Sequence, residues 1–438
     1  VIVARGRLLS AALRIACTIA LATPVAASAD SSRAPADRTI AALRATASWK
    51  QAAAALDREH GRFVDEIVAI AEIPAPPFGE ARRAAAYRAK LAAAGLTGIE
   101  TDQVGNVIAV RRGTGPAGGT AVVISAHLDT VFLEETDVTV KRKGSRLAAP
   151  GIADDSRGLA ALLAYARALD AAKVRTRHDI VFLASVGEEG QGDLRGVRHF
   201  FTQGPYRNRV ATFISVDGVN PARITNIAVG SKRYRVTFKG PGGHSYGAFG
   251  LVNPMVAMAR AVTELYEIVP PASPRTTYSA SVTGGGTSVN SIPDTVFMEF
   301  DMRSESPTEL KGLESRLIAI VDKAVAAENA ARSTRAGTIS ADKARIGDRP
   351  AGSTPTNAPI VALTAAAIRS QGYAPEFDAS STDANIPISL GIPAITIGSG
   401  GKGGRAHSLD EYIDVEKGES VKGLAVGLLA LMAVAEAR

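Results

Sequence analysis

The sequence of 438 residues contains a single cysteine, Cys17, and that residue lies inside an apolar N-terminal run. The rest of the chain can form no disulfide and offers no thiolate, so any metal site must be built from His, Asp and Glu. Beyond the first 30 residues no stretch is long and apolar enough to cross a bilayer. The formal net charge is +7, and three of the arginines (Arg5, Arg7 and Arg14) belong to the N-terminal run. The small excess left over is not gathered into the basic stripes that nucleic-acid binding calls for. There is no internal repeat, and low complexity is confined to alanine-rich helices. A disulfide scaffold, a thiol enzyme, a membrane-embedded protein and a nucleic-acid binder are therefore set aside.

The N-terminus, "VIVARGRLLSAALRIACTIALATPVAASAD", joins Arg5 and Arg7 to an apolar run over about 15–25 and then to Ala27-Ser28-Ala29. It reads as a secretory signal peptide, residues 1–29, cut after Ala29. A membrane anchor is the competing reading, but the run is too short and Arg14 interrupts its start. Cys17 also fails as a lipoprotein acceptor, because Arg14 stands where an apolar residue is wanted. A soluble periplasmic or secreted protein, free of the membrane after cleavage, is the expectation.

The remaining length suits two domains rather than one core. Residues 30–48 show little pattern and are expected as a loose N-terminal segment. From Trp49 helical periods alternate with apolar strands such as "TAVVISAHLDT", "DIVFLASV", "VATFISVD" and "PAITIGSG". Continuous apolar strands between helices predict a mostly parallel α/β sheet covered on both faces. Between 227 and 349 the pattern changes. There "KRYRVTFKG", "TTYSASVTG" and "TVFMEFDMRS" alternate as antiparallel strands with one wet face, and two long helical stretches accompany them. The expected organisation is a catalytic domain split into 49–226 and 350–438, with an α+β insert at 227–349.

Each apolar strand of the first domain runs into polar residues: His127 and Asp129, then Glu188 and Glu189, then Asp217. Asp154 and Asp155 precede a helix in "GIADDSRGLAALLA", and His407 follows a glycine-rich loop in "GSGGKGGRAHSLDEY". Singly, each has a plain structural reading: a solvated turn, acids at a helix N-terminus, a packed histidine. Together they would meet at the carboxyl edge of one open sheet, where ligands bind. Two imidazoles and several carboxylates suit zinc or a similar divalent ion.

The order "AHLDT", "GIADDSRG", "VGEEG", "SVDG", "GPGGHS" and "HSLDEY" resembles the di-zinc hydrolase family of peptidase T, acetylornithine deacetylase, succinyl-diaminopimelate desuccinylase, aminoacylase and carboxypeptidase G. The likeness runs from about Trp49 to the C-terminus. It implies two divalent ions, zinc first with cobalt or manganese as alternatives, bridged by Asp154. His127 and Asp217 would complete one site, Glu189 and His407 the other. It also implies that Asp129 orients the His127 imidazole through its other nitrogen and that Glu188 is the general base. The reaction implied is attack on an amide by a metal-bridged water. The insert resembles the family's dimerisation lid, with His244 reaching the active site of a partner in a homodimer to stabilise the oxyanion. Asn290 and Arg303 match positions that hold the polar end of the substrate. Arg349 in "GDRPAG" is a carboxylate clamp or a solvated linker arginine. Ser381 and Thr382 are placed in a pocket loop, and His60, His178 and His199 are read as surface or packing residues.

The substrate class expected is small peptides or N-acyl amino acids. Aminopeptidase action is preferred narrowly over carboxypeptidase or deacylase action. A catalytically dead peptide-binding protein would lack a ligand or the base, and this chain has all of them. A storage or structural metal site would need neither His244 nor a glutamate free of the metal.

Overall fold

The computed structural model describes residues 27–437. The leader expected over 1–29 falls, except for its last three positions, outside the described residues. A nine-stranded sheet forms the centre of the larger unit. Its middle consists of Asp179–Ser185, Ala121–His127, Val210–Val216 and Ala394–Ile397, side by side in that order and parallel. Val107–Arg111 and Arg223–Ala228 flank these four as antiparallel neighbours.

The apolar runs of these strands are long because both of their faces are covered. Alternate residues serve opposite sides. Val122, Ile124 and Ala126 enter the core beneath helices Arg157–Ala171 and Lys417–Val434, whereas Ala121 and Val123 pack with Phe200 and Phe201 of helix Arg195–Thr202. Helix Arg157–Ala171 is buried on every side, which accounts for its lack of a polar face. His127 lies opposite Ser185 and Ile397 opposite Val216. The residues that follow these strand ends therefore emerge along one edge.

Residues 30–48 are not loose. They form most of a helix, Ala27–Ala45, and the start of the next, Ala47–Arg58, which is capped by a hydrogen bond from Trp49 N to Thr46 Oγ1. Ala36, Ile40 and Leu43 make a short apolar stripe that is buried and packs near helix Pro359–Ser370. Burial of Ile40 and Leu43 contributes about 1.5–3 kcal/mol each. The Arg369–Asp37 pair at 2.6 Å and the bond from Arg44 Nη1 to Ser370 O at 2.8 Å fix the helix in place. The stripe is too short to stand out in an Ala- and Arg-rich sequence, and its partner lies more than 300 residues away.

The chain leaves the large sheet after Ala228. A second sheet, antiparallel and four-stranded, has the order Thr276–Gly285, Thr295–Ser304, Gly230–Lys239, Ser340–Arg349. Tyr234, Val236 and Phe238 of its inner strand face helices Pro254–Leu265 and Pro307–Ala331 in a separate core. The alternate residues, among them Arg233 and Arg235, lie on the other face. The fold class read from the strand patterns is the one observed: a mostly parallel sheet flanked by helices, with an α+β lid. Among the described residues no helix is long and apolar enough to cross a membrane.

Candidate metal centre and substrate cleft

The strand ends bring the polar residues together. His127 closes its strand, Asp217 follows the next and is tied by its backbone N–H to Ile397 O at 2.9 Å. Potential ligand atoms of His127, Asp154 and Asp217 lie within 4.8 Å of one another, and so do those of Asp154, Glu189 and His407. Asp154 belongs to both groups. Its Oδ1 stands 2.8 Å from His127 Nε2 and its Oδ2 3.2 Å from His407 Nε2, and His407 Nε2 is 2.9 Å from Glu189 Oε1. A third grouping, His127 with Glu188 and Glu189, overlaps these. The donor set is all nitrogen and carboxylate oxygen, and it fits two borderline divalent ions such as zinc.

The glutamate pair is held by its glycine frame. Gly187 takes φ +66°, and a Cβ there would come within 2.6 Å of Arg195 Cγ; a Cβ on Gly192 would meet Gly187 Cα at 2.4 Å. Asp129 secures the same turn, accepting hydrogen bonds from Glu188 N at 3.0 Å and Glu189 N at 2.8 Å. This corrects the role expected for Asp129. His127 Nδ1 is 2.9 Å from the Asp129 backbone carbonyl and 3.8 Å from its carboxylate. The imidazole is oriented by the main chain, and the carboxylate is spent on two buried N–H groups of the Glu188–Glu189 turn.

The Asp154 segment has two supports. Asp155 points away from the cleft and accepts from His127 N at 3.1 Å. Glu411 was not singled out in the sequence although it stands in the quoted "HSLDEY". It is fully buried and accepts from Ala153 N at 2.6 Å, Asp154 N at 3.0 Å and Gly151 N at 3.2 Å. Four residues from His407, it ties the aspartate shared by both ligand groups to the segment that carries one of the histidines. His407 itself adopts φ +64°, a left-handed conformation uncommon for a residue with a Cβ.

The charges are those of a cation site. Burial works to raise the Asp154 carboxyl, but hydrogen bonds from His127 and His407 outweigh it and hold it below the usual carboxylate range. Burial opposes protonation of His127, yet Asp154 raises it well above its ordinary value. Hydrogen bonds to Asp154 and Glu189 push His407 up to about 11. Burial, followed by the charge of Asp154, lifts Asp217 to about 6. The acids thus hold protons on both imidazoles, where bound cations would otherwise supply the positive charge. Burial raises Glu188 well above the normal range, and Arg349 pulls it back. Burial pushes Glu411 up to about 7 against the three N–H groups that it accepts.

A cleft of about 460 Å³ opens over this centre, lined by Asp154, Glu188, Glu189, Asp217 and His407 together with Arg223, Arg233, Arg303 and Arg349. Arg349 is no solvated linker residue. It is buried, its Nη1 lies 3.3 Å from Glu188 Oε1 and 3.2 Å from Ser381 Oγ, and its Nη2 donates to the Glu188 carbonyl. Arg303 lines the cleft with its Nε on Asp301 Oδ2 at 2.7 Å. Ser381 lines it too, whereas Thr382 is buried against Thr396 at 2.6 Å.

Neither His244 nor Asn290 is among the cleft-lining residues. Both are exposed on the lid, where Gly243–His244 pairs with Ser291–Ile292, and His244 Nδ1 accepts from Tyr246 N and Gly247 N. His60 packs near Phe63, with ring centroids 6.2 Å apart, and His178 Nδ1 is 2.6 Å from Thr120 Oγ1. Arg223 and Arg233 carried no sequence motif, so only the fold reveals them in the cleft.

Imidazoles and carboxylates gathered at the ends of parallel strands, in ligand groups that share an aspartate, mark the chain as a metal-dependent hydrolase. The profile of Peptidase family M20/M25/M40 matches residues 123–433, and the chain belongs to this family. Succinyl-diaminopimelate desuccinylase of Burkholderia multivorans (strain ATCC 17616 / 249) is 27% identical over 248 residues, covering 51% of this chain and 63% of that protein. The same enzyme of Methylibium petroleiphilum is 29% identical over 244 residues, covering 52% and 62%. The match thus spans less than two thirds of these relatives' own length. Among solved structures, aminopeptidase PepT from Bacillus cereus ATCC 10987 superposes with a TM-score of 0.68 at 19% identity, covering 85% of this chain and 98% of that one. Bacillus subtilis YXEP, a dinuclear metal binding peptidase, gives 0.62 at 17% identity, covering 86% and 98%. These superpositions show a shared fold.

Proposed function

We propose that the protein is a two-metal hydrolase that cleaves the amide bond of small peptides or N-acyl amino acids whose carboxylate is held by the arginines of the cleft. His127, Asp154 and Asp217 would hold one ion, and Asp154, Glu189 and His407 the other, with zinc the first choice and Co2+ or Mn2+ the alternatives. When bound, such ions polarise a carbonyl and lower the pKa of water. The observation that carries the reading is Glu188. It is buried beside both ligand groups, its backbone is fixed by Asp129, and its carboxylate is steadied by Arg349. From there it takes the proton of the attacking water as the water oxygen bonds to the carbonyl carbon. It then delivers that proton to the amine nitrogen as the C–N bond breaks.

The lining residues shift the preference away from an aminopeptidase. Every carboxylate that lines the cleft belongs to a ligand group or lies against Arg349, so none is left for a substrate amine. Four arginines line it, and although each has an acid of its own, Arg223 and Arg303 spend only Nε on Asp378 and Asp301, so that their Nη groups face a substrate carboxylate in this reading. Carboxypeptidase or deacylase action follows. The lid segment with His244 and Asn290 serves a second copy in this reading, because both residues are exposed and Nδ1 of His244 is already engaged with its own turn. Export belongs to the same proposal and is tested by recovery from the periplasmic fraction.

The test is product analysis of the zinc-loaded protein with one tripeptide, its N-acetyl form and its C-terminal amide. Cleavage that tolerates the acetyl group but not the amide supports the proposal, and the reverse pattern returns the assignment to an aminopeptidase. Glu188→Gln is expected to keep its metal and fold and to lose about 10²–10⁴-fold in turnover. Unchanged turnover would remove the proposed base.

A further inference from the structure

The chain passes between the catalytic sheet and the lid twice, outward after strand Arg223–Ala228 and back after strand Ser340–Arg349. The two crossings run side by side as a ribbon. Ser231 pairs with Arg349 on the lid side and Ala228 with Gly352 on the catalytic side, but Val229 and Gly230 have no ladder pairing across the ribbon with Pro350 and Ala351. Pro350 has no N–H to give to such a pairing. Gly230 lies so close to the other crossing that a Cβ there would meet Ala351 N at 2.5 Å. The ladder that would stiffen a continuous ribbon is therefore interrupted at the one place where the lid joins the catalytic sheet.

Asn385 bridges the interruption. It is fully buried at the start of the short helix Asn385–Ser389, and its Nδ2 donates to Val229 O and to Pro350 O, both at 2.9 Å. A single amide nitrogen thus holds both crossings, using both of its protons. The Oδ1 of Asn385 accepts from Thr382 N at 2.9 Å. The loop that carries this side chain is itself tied to the catalytic sheet. Ser380 O accepts from Val229 N at 2.8 Å, Thr382 Oγ1 is 2.6 Å from Thr396 Oγ1, and Asp383 Oδ2 accepts from Ser185 Oγ at 2.5 Å, on the strand paired with that of His127. The crossings are therefore fixed relative to the sheet that carries the candidate metal ligands.

The connection to the reaction centre runs through Arg349. It is the last residue of the returning lid strand and directly precedes the clamped Pro350, and its Nη1 reaches both Glu188 Oε1 and Ser381 Oγ. A change of angle at the crossings displaces this guanidinium before any other cleft residue of the lid. We propose that Asn385 is a positioning residue: its amide sets the angle at which the lid meets the catalytic sheet and so holds Arg349 against Glu188. Asn385 does not line the cleft and belongs to none of the ligand groups. The catalytic consequence rests on the hydrolase reading above, whereas the clamp itself stands on the hydrogen bonds alone.

The experiment has a distance arm and a kinetic arm. In the first, nitroxide labels are placed at Lys50 of helix Ala47–Arg58 and Lys311 of helix Pro307–Ala331, both exposed, in a Cys17→Ser background, and the distance distribution between lid and catalytic domain is measured by electron paramagnetic resonance. Wild type should give one narrow distribution. Asn385→Ala, and the near-isosteric Asn385→Asp that loses the donors, should broaden or shift it. In the second arm, kcat of the zinc-loaded protein is measured with the N-acetyl tripeptide for wild type, Asn385→Ala, Arg349→Met and the double variant. Asn385→Ala should lower kcat about 10–100-fold, because misplacement by about 1 Å costs on that order, with zinc stoichiometry unchanged. In the Arg349→Met background the same substitution should lower kcat far less, since residues that act through one another do not add. Losses that add in the double variant would overturn the proposal, as would a distance distribution unaltered by either substitution. If neither variant folds, wild type alone decides: a broad or two-peaked distribution would show that the amide does not fix the lid. If no substrate turns over in wild type while Asn385→Ala still broadens the distribution, it is the hydrolase reading that fails and the clamp that stands.

Discussion

Glu411→Gln tests whether a buried carboxylate outside the ligand set holds the metal centre together. Oε1 of Glu411 accepts from Ala153 N and Asp154 N, and Oε2 accepts from Gly151 N. Glutamine has nearly the same shape but only one carbonyl oxygen. In either amide orientation at least one backbone N–H then faces an NH2 group, and the bonds that survive lose their charge assistance. A buried donor left unsatisfied costs about 1–3 kcal/mol. That cost falls on the Gly151–Asp154 turn, which sets the aspartate shared by both ligand groups. Loss of such supporting partners typically weakens metal affinity about 10–100-fold. The assay is competition for zinc against a chelator of known affinity, with amide hydrogen exchange at Ala153 and Asp154 as a metal-free readout. Both amides should exchange faster in the variant, and the zinc isotherm should weaken. Wild-type zinc affinity together with unchanged protection would refute the reasoning.

Because Asp154 and Glu189 hold protons on His127 and His407 in the metal-free protein, metal uptake should release protons and affinity should rise with pH. Calorimetry in buffers of different ionisation enthalpy measures that release, and buffer-independent heats would contradict it. Arg349→Met removes the cation that lowers the Glu188 pKa, so the acidic limb of the kcat/KM profile should move to higher pH with metal content unchanged; an unmoved limb would mean that Arg349 does not act through Glu188. Asp179 accepts from Gly113 N at 2.8 Å, Arg112 Nη1 at 2.9 Å and Arg209 Nη2 at 2.8 Å. Burial opposes its ionisation, but these donors hold its pKa below the usual 3.8. Its stabilising contribution is therefore complete above that value and is lost as pH falls through the lower folded-state pKa. Urea unfolding of wild type and Asp179→Asn should show a gap near neutral pH that narrows in acid, and a gap independent of pH would exclude the linkage.

The clustering of the candidate ligands was legible because their chemistry coincides with a local signal. His127, Glu189 and Asp217 each stand at or within a few residues of the end of an apolar strand, and the rule that parallel strands end on one edge brings them together without any knowledge of side-chain contacts. The role of Asp129 was misread for the opposite reason. A carboxylate two residues from a histidine is compatible both with orienting its ring and with accepting the N–H groups of a neighbouring turn, and only the path of the Glu188–Glu189 segment decides between them. The N-terminal helix escaped because its stripe of Ala36, Ile40 and Leu43 has meaning only against a helix from the far end of the chain.

Two of the four cleft arginines, Arg223 and Arg233, were hidden more deeply. Arg233 lies in an alternating strand whose buried partners, Tyr234, Val236 and Phe238, announce the lid core, so its own alternation reads as a solvated face. What turns that face into part of a reaction site is the packing of the lid against the Glu188–Glu189 turn, where Arg233 Nη1 donates to Gly190 O at 3.1 Å and Arg349 reaches Glu188. Strand ends of one sheet thus supply His127, Glu189 and Asp217 of the candidate metal centre, whereas the proposed substrate-binding arginines Arg233, Arg303 and Arg349 reach it from the lid sheet. A substitution that loosens the lid without touching a ligand, such as Arg233→Ala, should therefore raise KM for carboxylate substrates while leaving zinc stoichiometry at its wild-type value. An equal loss of metal would show that the metal centre and the lid arginines are not separable.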